Sequence, residues 1–100
     1  MIKHIVLWKL KENAEGKSKA ENAAKLKKEL EALASKIREI RKLEIGINSN
    51  TSQDAYDLGL VSEFATREDL DMYQKHPEHQ RVAGLLRKLR DSRIVVDYEM

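Results

Sequence analysis

The stretch Ile2-Lys3-His4-Ile5-Val6-Leu7-Trp8-Lys9-Leu10 decides the fold. Side chains along a strand alternate between its two faces. Ile2, His4, Val6, Trp8 and Leu10 therefore share one face, and Lys3, Ile5, Leu7 and Lys9 share the other. Both faces are apolar in the middle, as in a central strand covered on both sides.

Working outward, Lys11 to Lys17 is polar and holds Gly16. Ser18 and Glu21 have the spacing of a capping box, in which each side chain satisfies a free amide of the first helical turn. Ala23, Leu26, Leu30, Leu33, Ile37 and Ile40 then recur at steps of three and four, which predicts one long amphipathic helix. Burial of each Leu or Ile contributes about 1.5–3 kcal/mol, so this helix must lie on something. The period changes to two at Leu43, Ile45 and Ile47, a second strand. Asn48 to Ala55 is a polar loop, and Tyr56, Leu58, Leu60, Ser62 and Phe64 make a third strand. Thr66 is placed to cap a helix that carries Leu70 and Tyr73 on one side. Pro77 keeps His76 extended and suits the first turn of a new helix, with Val82, Leu85, Leu86 and Leu89 on its buried face. Ile94, Val95, Val96 and Tyr98 form the last strand.

The order β-α-β-β-α-β, with right-handed crossovers, predicts an α+β, ferredoxin-like fold with a four-stranded antiparallel sheet. Both helical regions would cover one face. The other face would then expose a large apolar surface, which normally has a partner. Two copies pairing sheet to sheet into a dimeric α+β barrel are expected, each contributing one domain over residues 1–100.

Composition narrows the function classes. The chain is 41% apolar and 36% charged, with four Gly and one Pro, which excludes collagen-like and mostly disordered readings. No apolar run approaches the roughly 20 residues of a membrane span. The strand pattern starts at the N-terminus, so no signal peptide is expected and a cytoplasmic location is. Zero Cys removes disulfides, thiolate metal sites and a Cys nucleophile. The basic excess of the first half is interleaved with glutamates, which marks a solvated helix face rather than a nucleic-acid stripe. The third strand carries Leu58, Gly59, Leu60 and Val61 where an RNA-binding sheet needs stacking aromatics. No Gly-rich phosphate loop and no nucleophile-elbow serine are present.

Four segments together carry a family resemblance: the opening Ile2 to Leu10, the strand from Tyr56 to Phe64, Tyr73-Gln74-Lys75-His76-Pro77-Glu78-His79, and Val95-Val96-Asp97-Tyr98. In this order, and over almost the whole chain, they resemble the stress-responsive dimeric A/B barrel (Dabb) family, with H-P-x-H as the most specific element. The resemblance implies the fold and barrel expected above. It says less about activity, because the family includes plant stress-induced proteins, bacterial members without assigned function, and olivetolic acid cyclase, an aldol-type polyketide cyclase. By that resemblance His79 is the catalytic base, Tyr73 assists it, and His4 is a pocket histidine of the first strand. A third-strand histidine of the cyclase falls at Leu58, so the full pocket is not reproduced.

The residues themselves allow two readings. In the first, a pocket between sheet and helices is lined by His4, Trp8, Leu58 and His76 beside Tyr73 and His79, and takes a small apolar or polyketide-like molecule. His79, in the first turn of a helix, faces the positive end of the dipole and stays neutral, able to accept a proton. Tyr73 donates to a carbonyl or enolate oxygen. No cofactor is needed. A metal on His76, Glu78 and His79 lacks a fourth ligand and would sit at a helix N-terminus, so none is expected. In the second reading the protein is a non-catalytic stress-linked structural or interaction module: His76 starts a helix, His79 holds the helix break, His4 is a satisfied buried histidine, and Tyr73 is core.

Overall fold

The computed structural model describes residues 1–100. The elements in chain order are β1 (Ile2–Leu10), β2 (Asn13–Ala14), β3 (Lys17–Ser18), α1 (Lys19–Glu31), α2 (Leu33–Lys36), β4 (Lys42–Ile47), β5 (Leu58–Phe64), α3 (Arg67–Lys75), α4 (Pro77–Leu89) and β6 (Arg90–Glu99). Four strands form one sheet in the order β4-β5-β1-β6, with every neighbouring pair antiparallel. This is the expected ferredoxin-like α+β arrangement. Its central pair is β1 and β5, in the register Ile2 with Phe64 through Trp8 with Leu58.

That register puts Ile2, Val6, Trp8 and Leu10 of β1 on the same side as Leu58, Leu60 and Phe64 of β5, and all seven are buried under the helices. The helices complete this core with Leu26, Leu30, Leu33, Leu70, Tyr73, Val82, Leu86 and Leu89. Two polar residues interrupt the face. Ser62 Oγ donates to the His4 carbonyl at 3.3 Å, and the His4 ring is bonded to Asp97. No helix is long and apolar enough to cross a membrane.

Three local expectations need correction. The polar segment from Lys11 to Lys17 contains a small hairpin, β2 to β3, turned by Glu15 and Gly16 at φ 52° and 76°. Buried Asn22 ties it to α1 by donating to the Ala14 carbonyl at 3.1 Å. The single long helix ends at Glu31, and a short second one ends at Lys36, with Ile37 extended. The apolar stripe survives the break because Leu33 and Ile37 still reach the core. Finally, β6 starts at Arg90, directly after α4, and is longer than its apolar centre suggested. The caps agree with the sequence. Ser18 and Glu21 form a complete capping box, and Thr66 Oγ1 accepts from the Asp69 amide at 3.1 Å.

Candidate functional site

A cleft of about 260 Å³ opens between the sheet and helices α3 and α4, within one chain. His4, Trp8, Tyr73 and His79 line it, together with Val6, Leu30, Leu60, Val82 and Leu86. Of the residues expected there, Leu58 and His76 do not line it. Leu58, two residues along β5 from Leu60, borders a separate depression with Ile47, Asn48 and Tyr56. His76 is used as a cap: its Nδ1 accepts from the Glu78 amide at 3.1 Å, which stands in for the Ser or Asp more common at that position.

The site is organised by the break between α3 and α4. Pro77 has no N–H and fixes its own φ, so it opens α4 while His76 remains extended at φ −62°, ψ 136°. The Gln74 carbonyl near the end of α3 is left without a helical partner. Two side chains of α4 converge on it: His79 Nδ1 at 3.1 Å and Gln80 Nε2 at 2.6 Å. A carbonyl only accepts, so His79 donates Nδ1–H and its Nε2 keeps the lone pair in the neutral ring. The His79 pKa is lowered from the ordinary 6.5, first by burial, against which the Gln74 bond acts, and then by the charges of His4, Arg93 and Arg87. The direction agrees with the sequence argument; burial, rather than the helix dipole, is its main cause.

Tyr73 stacks beside that ring, with centroids 4.5 Å apart, and lies 6.1 Å from the His4 ring. Phe64 closes the cluster at 5.0 Å from Tyr73. Burial pushes the Tyr73 phenol up to about 12, and the charge of Arg93 offsets part of this. The hydroxyl is therefore a standing donor at neutral pH.

His4 is 2% exposed and hydrogen-bonds through Nδ1 to the Asp97 carboxylate, which also lies 3.6 Å from Arg67. A carboxylate only accepts, so His4 too donates from Nδ1. Asp97 was not singled out in the sequence, because it sits 93 positions from His4 and only the β1–β6 register makes them opposite partners. Arg87, Arg90 and Arg93, which line the same cleft, were likewise missed, since nothing local distinguishes them from surface cations. Trp8 Nε1 is the one buried side-chain polar atom without a partner.

The arrangement offers the acceptor nitrogen of His79 and the donor hydroxyl of Tyr73, on rings 4.5 Å apart, in a cleft of mixed apolar and cationic lining. Such a pair can take a proton from a bound molecule while holding the oxygen on which charge develops.

Comparison with known proteins gives a consistent lineage. A dimeric protein of unknown function and ferredoxin-like fold from Bacteroides fragilis is 38% identical, with a TM-score of 0.87 over 99% of this chain and 95% of that one. A dimeric ferredoxin-like protein of unknown function from Jannaschia is 27% identical, with a TM-score of 0.75 over 99% and 98% of the two chains. The hydroxynitrile lyase of Passiflora edulis shares the fold at 16% identity, with a TM-score of 0.82 over 99% and 92%. No curated protein matches. The model of the stress-responsive A/B barrel domain matches residues 2–100, and the chain belongs to that family, Dabb.

Proposed function

We propose that this chain, acting as one domain over residues 1–100, forms a homodimer and binds a small, largely apolar or polyketide-like molecule in the cleft of each subunit, with cofactor-free proton-abstraction chemistry of the cyclase or lyase type. The observation that carries the chemistry is the bond from His79 Nδ1 to the Gln74 carbonyl, which leaves Nε2 as an acceptor on a ring next to that of Tyr73. In the step envisaged, a carbon next to a carbonyl gives its proton to His79 Nε2. The electron pair of that C–H bond moves onto the carbonyl oxygen as an enolate, and Tyr73 O–H donates to that oxygen. His4, held by Asp97, gives the cleft a rigid wall. The lyase of the same fold lends support from a related class of chemistry.

Self-association is supported by the dimeric relatives and by the uncovered sheet face, where Ile94, Val96 and Tyr98 stay exposed. A thermal-shift screen with aromatic and polyketide-like compounds, alongside native mass spectrometry, tests the reading. Stabilisation by at least one compound, lost in His79→Ala, and a dimer mass are expected. No shift with any compound would leave the non-catalytic module in its place.

A further inference from the structure

Beyond Tyr73 and His79, the cleft carries three cationic side chains. Arg87 comes from the last turns of α4, Arg90 from its junction with β6, and Arg93 stands opposite Trp8 in the β1–β6 register. None of the three is in an ion pair, although most other arginines of the chain are. No Asp or Glu lines the cleft, and Asp97, four residues along β6 from Arg93, is engaged by His4 and Arg67.

Two further groups of the cleft are donors. Trp8 Nε1–H and the Tyr73 hydroxyl are donors without protein acceptors. Three unpaired guanidinium groups and two free donors, with no carboxylate among the lining residues, match a ligand that brings anionic acceptors. Guanidinium groups pair in a planar, two-bond fashion with carboxylate and phosphate oxygens. Val6, Leu30, Leu60, Val82 and Leu86 give the cleft aliphatic walls, and its volume lies just below the about 300–1,000 Å³ of common ligand pockets, so the molecule is small.

We propose that the cleft selects an organic anion: a small molecule with an apolar body whose carboxylate or phosphate oxygens are held by Arg87, Arg90 and Arg93. The proposal rests on the reading of the cleft as a small-molecule site and adds the ligand class. Arg93 lies near both rings, since its positive charge is felt at Tyr73 and at His79. A ligand anchored there stays beside the two rings.

Trp8 is the single tryptophan and lines the cleft, so its fluorescence reports occupancy. The protein is titrated with 4-phenylbutyrate, with phenyl phosphate, and with the neutral 4-phenylbutyramide. At least one anion is expected to bind about tenfold or more tightly than the amide, the scale of one charge-assisted hydrogen bond. Added salt should erode the preference. Which anion binds separates carboxylate from phosphate recognition. In the double variant Arg87→Gln/Arg93→Gln the preference should vanish while amide binding persists; both side chains are exposed, so an unchanged melting temperature is expected. Equal binding of amide and anions, or a preference that survives in the double variant, overturns the anion proposal and leaves the small-molecule reading standing. No binding of any of the three overturns both.

Discussion

On the helix side of β1, Ile2, Val6, Trp8 and Leu10 keep 2 to 5% of their surface exposed. On the other side of the sheet, Ile94, Val96 and Tyr98 of β6 keep 43 to 51%. Both faces carry large apolar residues at their centre, so an apolar centre alone does not separate them. What separates them is covering material: α1, α3 and α4 all lie on one side, and none of the helices crosses to the other. The covered face also tolerates polar residues, because His4 and Ser62 each find a partner there. On the bare face Ile5, Leu7, Val61, Ile94 and Val96 form an apolar centre flanked by Lys3, Lys9, Glu44 and Glu63, a patch of the kind that marks an interaction surface.

Substitutions on each face test this contrast, and the largest effect is expected on the bare one. Val96→Asp places a charge where two sheets would meet, so light scattering should give half the wild-type mass while circular dichroism stays unchanged. An unchanged mass would show that this face is not the seam. On the covered face, Phe64→Ala removes a fully buried ring and should cost about 3–5 kcal/mol in urea unfolding. Asp97→Ala leaves the His4 ring without its carboxylate and should cost about 1.5–3 kcal/mol, read from the same unfolding curves.

The smallest effect concerns pH. The folded His79 pKa lies below the unfolded value near 6.5, so the unfolded chain binds more protons in that interval. Its contribution is complete above pH 6.5 and is lost as the pH falls through the folded pKa. The stability of the wild type should therefore drop more steeply than that of His79→Gln as the pH is lowered from 6.5, in unfolding measured at several pH values. Equal slopes would mean that the ring is not held neutral.

The element order was legible because each core element carries its own periodicity, from Ile2 to Leu10 through Ile94 to Tyr98. The hairpin at Glu15 and Gly16 was not, since a glutamate at positive φ gives no turn signal comparable to Asn-Gly. The break after Glu31 was hidden because a stripe with steps of three and four continues through it. Of the site, His79 and Tyr73 were visible as neighbours of Pro77 in one short segment, and His4 by its position on the strand. His76 was placed in the pocket by proximity in sequence, whereas its ring turned back to cap α4. Asp97, Arg90 and Arg93 depend on register between β1 and β6, which is a property of the paired strands and of neither alone.

The interruption at Pro77 has a chemical consequence. Were the two helices to run on as one, the Glu78 amide would claim the Gln74 carbonyl by the ordinary four-residue ladder. The imidazole of His79 would then have lost the group that dictates where its proton resides, and either tautomer would be open to it. A seamless helix and a ring committed to a single basic nitrogen thus exclude each other here. The discontinuity, which weakens the backbone locally, is what gives the side chain a defined reactivity.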